Sequence, residues 1–163
     1  RELASRYEWI DLDRVGIYGH SGGGFATARA LLAHPDFFHV GVASAGNHDN
    51  RGYTYYWGEK WQGPLVPTTD GDSYTNQSLL RLAGNLRGRL LIAYGTMDNN
   101  VHPAGTVRLA NALIRANKRF DFFIMPGRAH GYADMQGYYT RMMFEYFAEH
   151  LLGDYYRRGA EMR

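Results

Sequence analysis

The chain contains no cysteine. That excludes disulfides, thiolate zinc sites and cysteine nucleophiles, and leaves the compartment open, because exported and cytosolic proteins can both lack the residue. It has no apolar run near the roughly 20 residues needed to cross a bilayer as a helix. Its first residues, Arg1-Glu2-Leu3-Ala4, are neither an initiator Met nor a secretory signal, so a piece of a longer protein is expected. Charge of one sign is lacking too. Eighteen Lys and Arg against 16 Asp and Glu leave a formal net charge of +2. The basic residues are scattered rather than striped, so the electrostatic footprint of a nucleic-acid binder is missing. What is present, 45% hydrophobic residues in a chain of 163, is enough apolar material for one globular domain.

Four short apolar runs rich in β-branched and aromatic residues read as buried strands: Val15 to Tyr18, Val40 to Ser44, Leu90 to Tyr94 and Phe122 to Met125. Between them, Gly23 to Ala33, Pro103 to Asn117 and Gly137 to Leu152 carry apolar residues at spacings of three and four, the helical pattern, with Pro103 suited to a first helical turn. Strands alternating with helices predict an α/β fold, a parallel sheet flanked by helices. No linker divides the chain, so residues 1–163 are expected to form a single partial domain. The stretch Asn47 to Ser78, rich in Gly, Tyr, Trp, Asp and Thr, reads as a long irregular connection of the kind that carries function.

The segment Gly19-His20-Ser21-Gly22-Gly23 follows the first strand and opens the first of those helices. Strand, G-x-S-x-G and helix together are the context of a nucleophile elbow. Gly19 and Gly23 are expected where the sharp turn leaves no room for β-carbons, and the helix amides, Gly22 N–H first, point at charge developing beside Ser21. A phosphate loop would need a Lys-Ser or Lys-Thr pair, which does not follow. Past the third strand lies Asp98, in Gly95-Thr96-Met97-Asp98-Asn99-Asn100-Val101-His102, and past the fourth lies His130, before Gly131. The order Ser, Asp, His is that of α/β-hydrolases, with each residue just beyond the carboxyl end of a strand. A serine hydroxyl is a poor nucleophile at neutral pH. His130 is predicted to take its proton, and Asp98 to hold the imidazole tautomer and stabilise the imidazolium. His20 reads as support for the turn and His102 as an orienting residue of the acid loop. His48 beside Asp49 lacks a further ligand cluster, so no metal or other cofactor is expected.

These three segments, Gly19 to Gly24, Gly95 to His102 and His130-Gly131, resemble the prolyl oligopeptidase clan of serine peptidases, most closely its dipeptidyl peptidase IV branch, over nearly the whole chain. The resemblance implies the C-terminal half of an α/β-hydrolase domain that cleaves short peptides through an acyl-enzyme. Asn76, in Tyr74-Thr75-Asn76, falls where that branch has an Asn beside the peptide's carbonyl and amino end. Tyr53 and Trp57 fall at its aromatic walls around a P1 proline. Two departures predict a wider and more polar pocket: Gly22 stands where the branch has Tyr, and Asn47 and Asn50 stand at apolar pocket positions.

The resemblance further implies upstream strands, an upstream Tyr as second oxyanion donor and a propeller that this chain does not contain. It also implies a homodimer of the full-length parent and an exported location. A carboxylesterase with the same three residues, and a non-catalytic interaction module, remain alternatives at this point.

Overall fold

In a computed structural model, residues 1–153 are described. A short helix α1 (Glu2–Arg6) precedes β1 (Gly16–His20), and α2 (Gly22–Ala33) leads to β2 (Val40–Ser44). The stretch expected to be irregular carries local order instead. It holds α3 (Tyr55–Gln62), a two-stranded antiparallel hairpin of β3 (Pro67–Thr68) and β4 (Gly71–Asp72), and the short helices α4 (Ser73–Gln77) and α5 (Leu79–Leu82). Asp72 accounts for part of this, because its carboxylate accepts from the Thr75 amide at 2.6 Å and caps α4. Then follow β5 (Arg89–Gly95), α6 (Ala104–Arg115), β6 (Asp121–Met125) and α7 (Gln136–Phe147), whose last turn widens into a π-helical segment over Ala148–Leu152.

The main sheet has the order β1-β2-β5-β6 with every pair parallel, as the alternation of strand and helix predicts. Its two central strands are almost wholly buried because helices cover both faces. Ala43, Leu90 and Ile92 pack on one face against Leu31 and Leu32 of α2, Leu79 of α5, and Leu109 and Leu113 of α6. Val40, Val42, Leu91 and Ala93 pack on the other against Met125 and against Tyr139, Met143 and Tyr146 of α7. The α6 pattern ends where Asn117 takes a left-handed conformation (φ 54°). The amides of Asn117 and Lys118 then reach back to the carbonyls of Ile114 and Leu113, closing the helix.

Parallel strands share one carboxyl rim. The segments after β1, β5 and β6, which carry Ser21, Asp98 and His130, therefore leave the sheet on the same side.

Candidate active site

Ser21 sits between β1 and α2 with φ 59° and ψ −123°, a conformation rare for any residue with a β-carbon. Its amide donates to the Ser44 carbonyl at 2.8 Å and its carbonyl accepts from the Phe25 amide at 3.0 Å, so both sides of the turn are tied down. A β-carbon at Gly19 would stand 2.3 Å from the Gly23 carbonyl oxygen, which makes glycine obligatory there. The expected crowding at Gly23 itself is not found, since a β-carbon there would meet nothing within 4 Å. Gly22 opens α2, and a first-turn amide has no acceptor within its own helix, so Gly22 N–H is free to meet an incoming oxygen.

Asp98 is almost completely buried. One carboxylate oxygen, Oδ1, accepts from the amides of Asn100 at 3.0 Å and Val101 at 2.9 Å, and the other, Oδ2, lies 2.7 Å from His130 Nδ1. Two backbone donors therefore aim the carboxylate, and the carboxylate holds the ring. His130 keeps 22% of its side chain exposed, and with Nδ1 engaged its Nε2 is the nitrogen left for a reacting group. The acid and histidine loops are stitched together by Met97 N–H to the Arg128 carbonyl at 2.9 Å and by Gly127 N–H to Thr96 Oγ1 at 2.8 Å. The Ser21 hydroxyl has no hydrogen-bond partner among the described residues.

A second polar network ties the elbow to the histidine loop. His20 Nδ1 lies 3.0 Å from Ser44 Oγ, which lies 2.6 Å from the Tyr132 hydroxyl, and the Tyr132 ring meets Tyr139 of α7 edge-on. His20 and Ser44 are register partners in β1 and β2, so the first bond follows directly from strand pairing. The His20 ring also stands 4.6 Å from that of His130. Burial holds the His20 pKa below its ordinary value, helped by the charge of His130 and opposed by Asp98 and by a hydrogen bond to the His130 main chain. Burial pushes the Tyr132 hydroxyl up, so it stays protonated and able to donate. The supporting role of His20 is legible in the sequence, whereas its partners Ser44 and Tyr132 lie too far along the chain to be.

Tyr53 donates its hydroxyl to Asn100 Oδ1 at 2.8 Å, two residues from Asp98. Its ring meets Trp57 edge-on at 5.8 Å, and Trp57 leads on to Trp61 at 6.3 Å, forming a ladder along one face of α3. Trp57 lies against Gly22, where a β-carbon would be only 2.9 Å from Cζ2 of the indole. The room that Gly22 was expected to leave is thus occupied by Trp57.

Asn47 and Asn50 are buried and bonded to one another, Nδ2 of Asn47 to Oδ1 of Asn50 at 2.6 Å. Asn50 continues to Gln62 Oε1 at 2.7 Å, and Gln62 ends the run on the Ser73 carbonyl at 3.1 Å. Asn76 is exposed, donating to Thr68 Oγ1 and accepting from Arg81. The next residue, Gln77, lines the cavity beside Trp57. Asp49 is a buried carboxylate between Arg51 and Arg108, and fully buried His48 leaves both ring nitrogens without a partner. Among the described residues no group of three His, Asp or Glu side chains converges as a metal site would require, and no helix is long and apolar enough to cross a membrane.

A serine on a strained elbow above a parallel sheet, with a histidine held by a buried carboxylate on the same rim, defines the serine-hydrolase class of α/β protein. The chain belongs to the prolyl oligopeptidase family, which it matches over residues 1–154. It is 38% identical to dipeptidyl peptidase 8 of Homo sapiens over 135 residues, covering 78% of this chain and 14% of that protein. It is 34% identical to dipeptidyl peptidase 4 of Trichophyton rubrum over 113 residues, covering 69% of this chain and 15% of that protein. The crystal structure of Porphyromonas gingivalis dipeptidyl peptidase 4 superimposes with a TM-score of 0.78 at 31% identity, over 88% of this chain and 20% of that one. A Bacteroides ovatus structure gives 0.84 at 28% identity, over 92% of this chain and 21% of that one. The chain therefore spans about a seventh of the length of these curated relatives.

Proposed function

We propose that this chain is the carboxyl-side part of the catalytic domain of a serine dipeptidyl peptidase. Ser21 is its nucleophile, His130 its general base and acid, Asp98 the orienting carboxylate and Gly22 N–H an oxyanion donor. The observation that carries the proposal is the 2.7 Å bond from buried Asp98 to His130 on the same sheet rim as the Ser21 elbow. His130 Nε2 takes the Ser21 proton as Oγ attacks the peptide carbonyl. Asp98 stabilises the imidazolium so formed, and the carbonyl oxygen, now negative, turns to Gly22 N–H. Collapse breaks the C–N bond as His130 returns the proton to the leaving amine. Water, activated by the same imidazole, then releases the acyl group from Ser21.

Trp57, against Gly22, and Tyr53, against Trp57, are the aromatic walls, Asn50 lines the cavity beside Trp57 with Asn47 bonded to it, and Asn76, held at the surface by Arg81, is the candidate for contact with the peptide main chain. β1 is one edge of the sheet, with Tyr18 exposed, which supports an upstream strand pairing there in the full-length protein. At the other edge, Phe122 and Ile124 of β6 are exposed apolar residues, which supports a homodimer.

A fluorophosphonate probe reports an activated serine. It should label the full-length protein rapidly, and Ser21→Ala should abolish the signal. A Ser21→Ala protein that still labels, or still cleaves dipeptidyl coumarylamides, would remove Ser21 from the reaction. Simple acetyl esters cleaved in strong preference to dipeptide amides would move the reading to a carboxylesterase.

A further inference from the structure

Behind Trp57 lies a cavity of about 250 Å³ lined by Phe25, Asn50, Trp57, Trp61, Gln62 and Gln77. Three of its walls are aromatic and three are carboxamides, and no charged side chain lines it. The Ser73 carbonyl determines how the carboxamides are turned. A carbonyl can only accept, so Gln62 must offer it Nε2; Gln62 Oε1 then accepts from Asn50 Nδ2, and Asn50 Oδ1 from Asn47 Nδ2. Asn50 Oδ1 and Gln62 Oε1 each accept a bond, while Asn50 and Gln62 each keep a second N–H. The Gln77 side chain makes no hydrogen bond among the described residues, so its whole carboxamide is available. The wall therefore offers a surplus of donors held in place by their own bonds.

Location connects the cavity to the chemistry. Trp57 touches Gly22, and Phe25 lies one helical turn from Ser21, to whose carbonyl its amide is bonded. The attacked carbonyl must lie against Gly22 N–H, and the side chain one bond further along the acyl residue is the part of a peptide closest to Trp57. Resting on the assignment of Ser21 as nucleophile, we propose that this cavity receives the side chain of the residue whose carbonyl is attacked. The side chain it takes is an uncharged hydrogen-bonding one, glutamine above all, with Gln77 as the residue that selects it. The methylene stem packs between the indoles while its carbonyl oxygen meets the donors and its NH2 meets Gln77 Oε1. A carboxylate would lose its hydration here and find no cation, and an aliphatic side chain would leave the donors unpaired.

The test uses the full-length protein and two coumarylamide series, Ala-Xaa with a free amino end and the same peptides N-acetylated, with Xaa as Gln, Leu, Pro, Glu and Lys. Gln should exceed Leu by about tenfold in kcat/KM, the discrimination expected when a polar site loses one partner. Gln77→Met should erase that preference by lowering the Gln rate while leaving Leu unchanged or improved, at an unaltered melting temperature. Gln77→Glu, of the same size, should shift the preference towards Lys and serves where the Met variant does not fold. Preference for Pro, Leu or Glu in the parent, or an equal loss on all substrates in both variants, overturns the inference. Failure of the underlying assignment looks different: neither series is cleaved and Ser21 takes no fluorophosphonate label.

Discussion

The imidazole of His20 stands 4.6 Å from that of His130, tilted by 58°, while its Nδ1 is bonded to Ser44 on the neighbouring strand. The residue before the proposed nucleophile thus braces the loop of the proposed base. His20→Phe keeps a flat ring but loses the bond to Ser44, and should lower kcat/KM about tenfold, the effect of one lost hydrogen bond. The pH profile separates this from a general loss of fold. Of the groups around His20, Asp98 favours its protonation, His130 opposes it, and Tyr132 and Tyr139 stay neutral because burial raises both. Protonating His20 therefore sets a second positive charge beside His130. Like charges this close repel, so the two rings take up protons at separated pH values; the wild-type acid limb should be shallower than a one-proton titration, and His20→Phe should return it to one proton. Identical acid limbs would show that His20 does not influence His130.

Asp98→Asn tests the orienting carboxylate. The variant can still accept from the amides of Asn100 and Val101 through Oδ1, so its melting temperature should change little. Its kcat should fall by about a thousand- to ten-thousandfold because the His130 tautomer is no longer imposed. Activity within tenfold of wild type would remove Asp98 from this role.

Gly22 and Trp57 are matched in space. Gly22→Ala places a β-carbon 2.9 Å from the indole and must displace it, so Trp57 emission should shift and peptide turnover should drop. Trp57→Phe in the same chain makes room, and the double variant should recover much of the loss. Additive losses would mean that the two residues act independently.

His48 is fully buried with both ring nitrogens unpartnered, and burial lowers its pKa to about 4. The unfolded chain binds a proton below the ordinary value of 6.5, while the folded chain stays neutral down to about 4. Stability should therefore decline as pH falls through this window, by about 3 kcal/mol in full from this group. Urea unfolding at neutral pH and near pH 4 measures it, and His48→Leu should flatten the difference. An equal pH dependence in the variant would assign the acid sensitivity to other groups.

The four main strands, the helices between them and the elbow were legible in the chain because each is written over a few consecutive residues. Apolar runs bounded by glycine mark buried strands, and G-x-S-x-G between strand and helix leaves the backbone one tight solution at Ser21. The rim that Ser21, Asp98 and His130 share also followed from sequence, since parallel strands all end on one side. Local order in residues 47 to 78 was not legible: α3, the hairpin and α4 are short, and Tyr, Trp and Gly favour no single state there. Nor were the pairs that shape the site. Trp57 lies 35 positions from Gly22, Ser44 is 88 from Tyr132, and Asn50 meets Gln62 across α3. Such partners are set by how segments far apart in the chain pack together, and that packing depends on volume and hydrogen-bond geometry summed over the whole core. The sequence alone thus determined the α/β class and where its reactive residues stand along the chain. Only the tertiary structure decided that an indole fills the space beside Gly22 and that a carboxamide wall stands behind it.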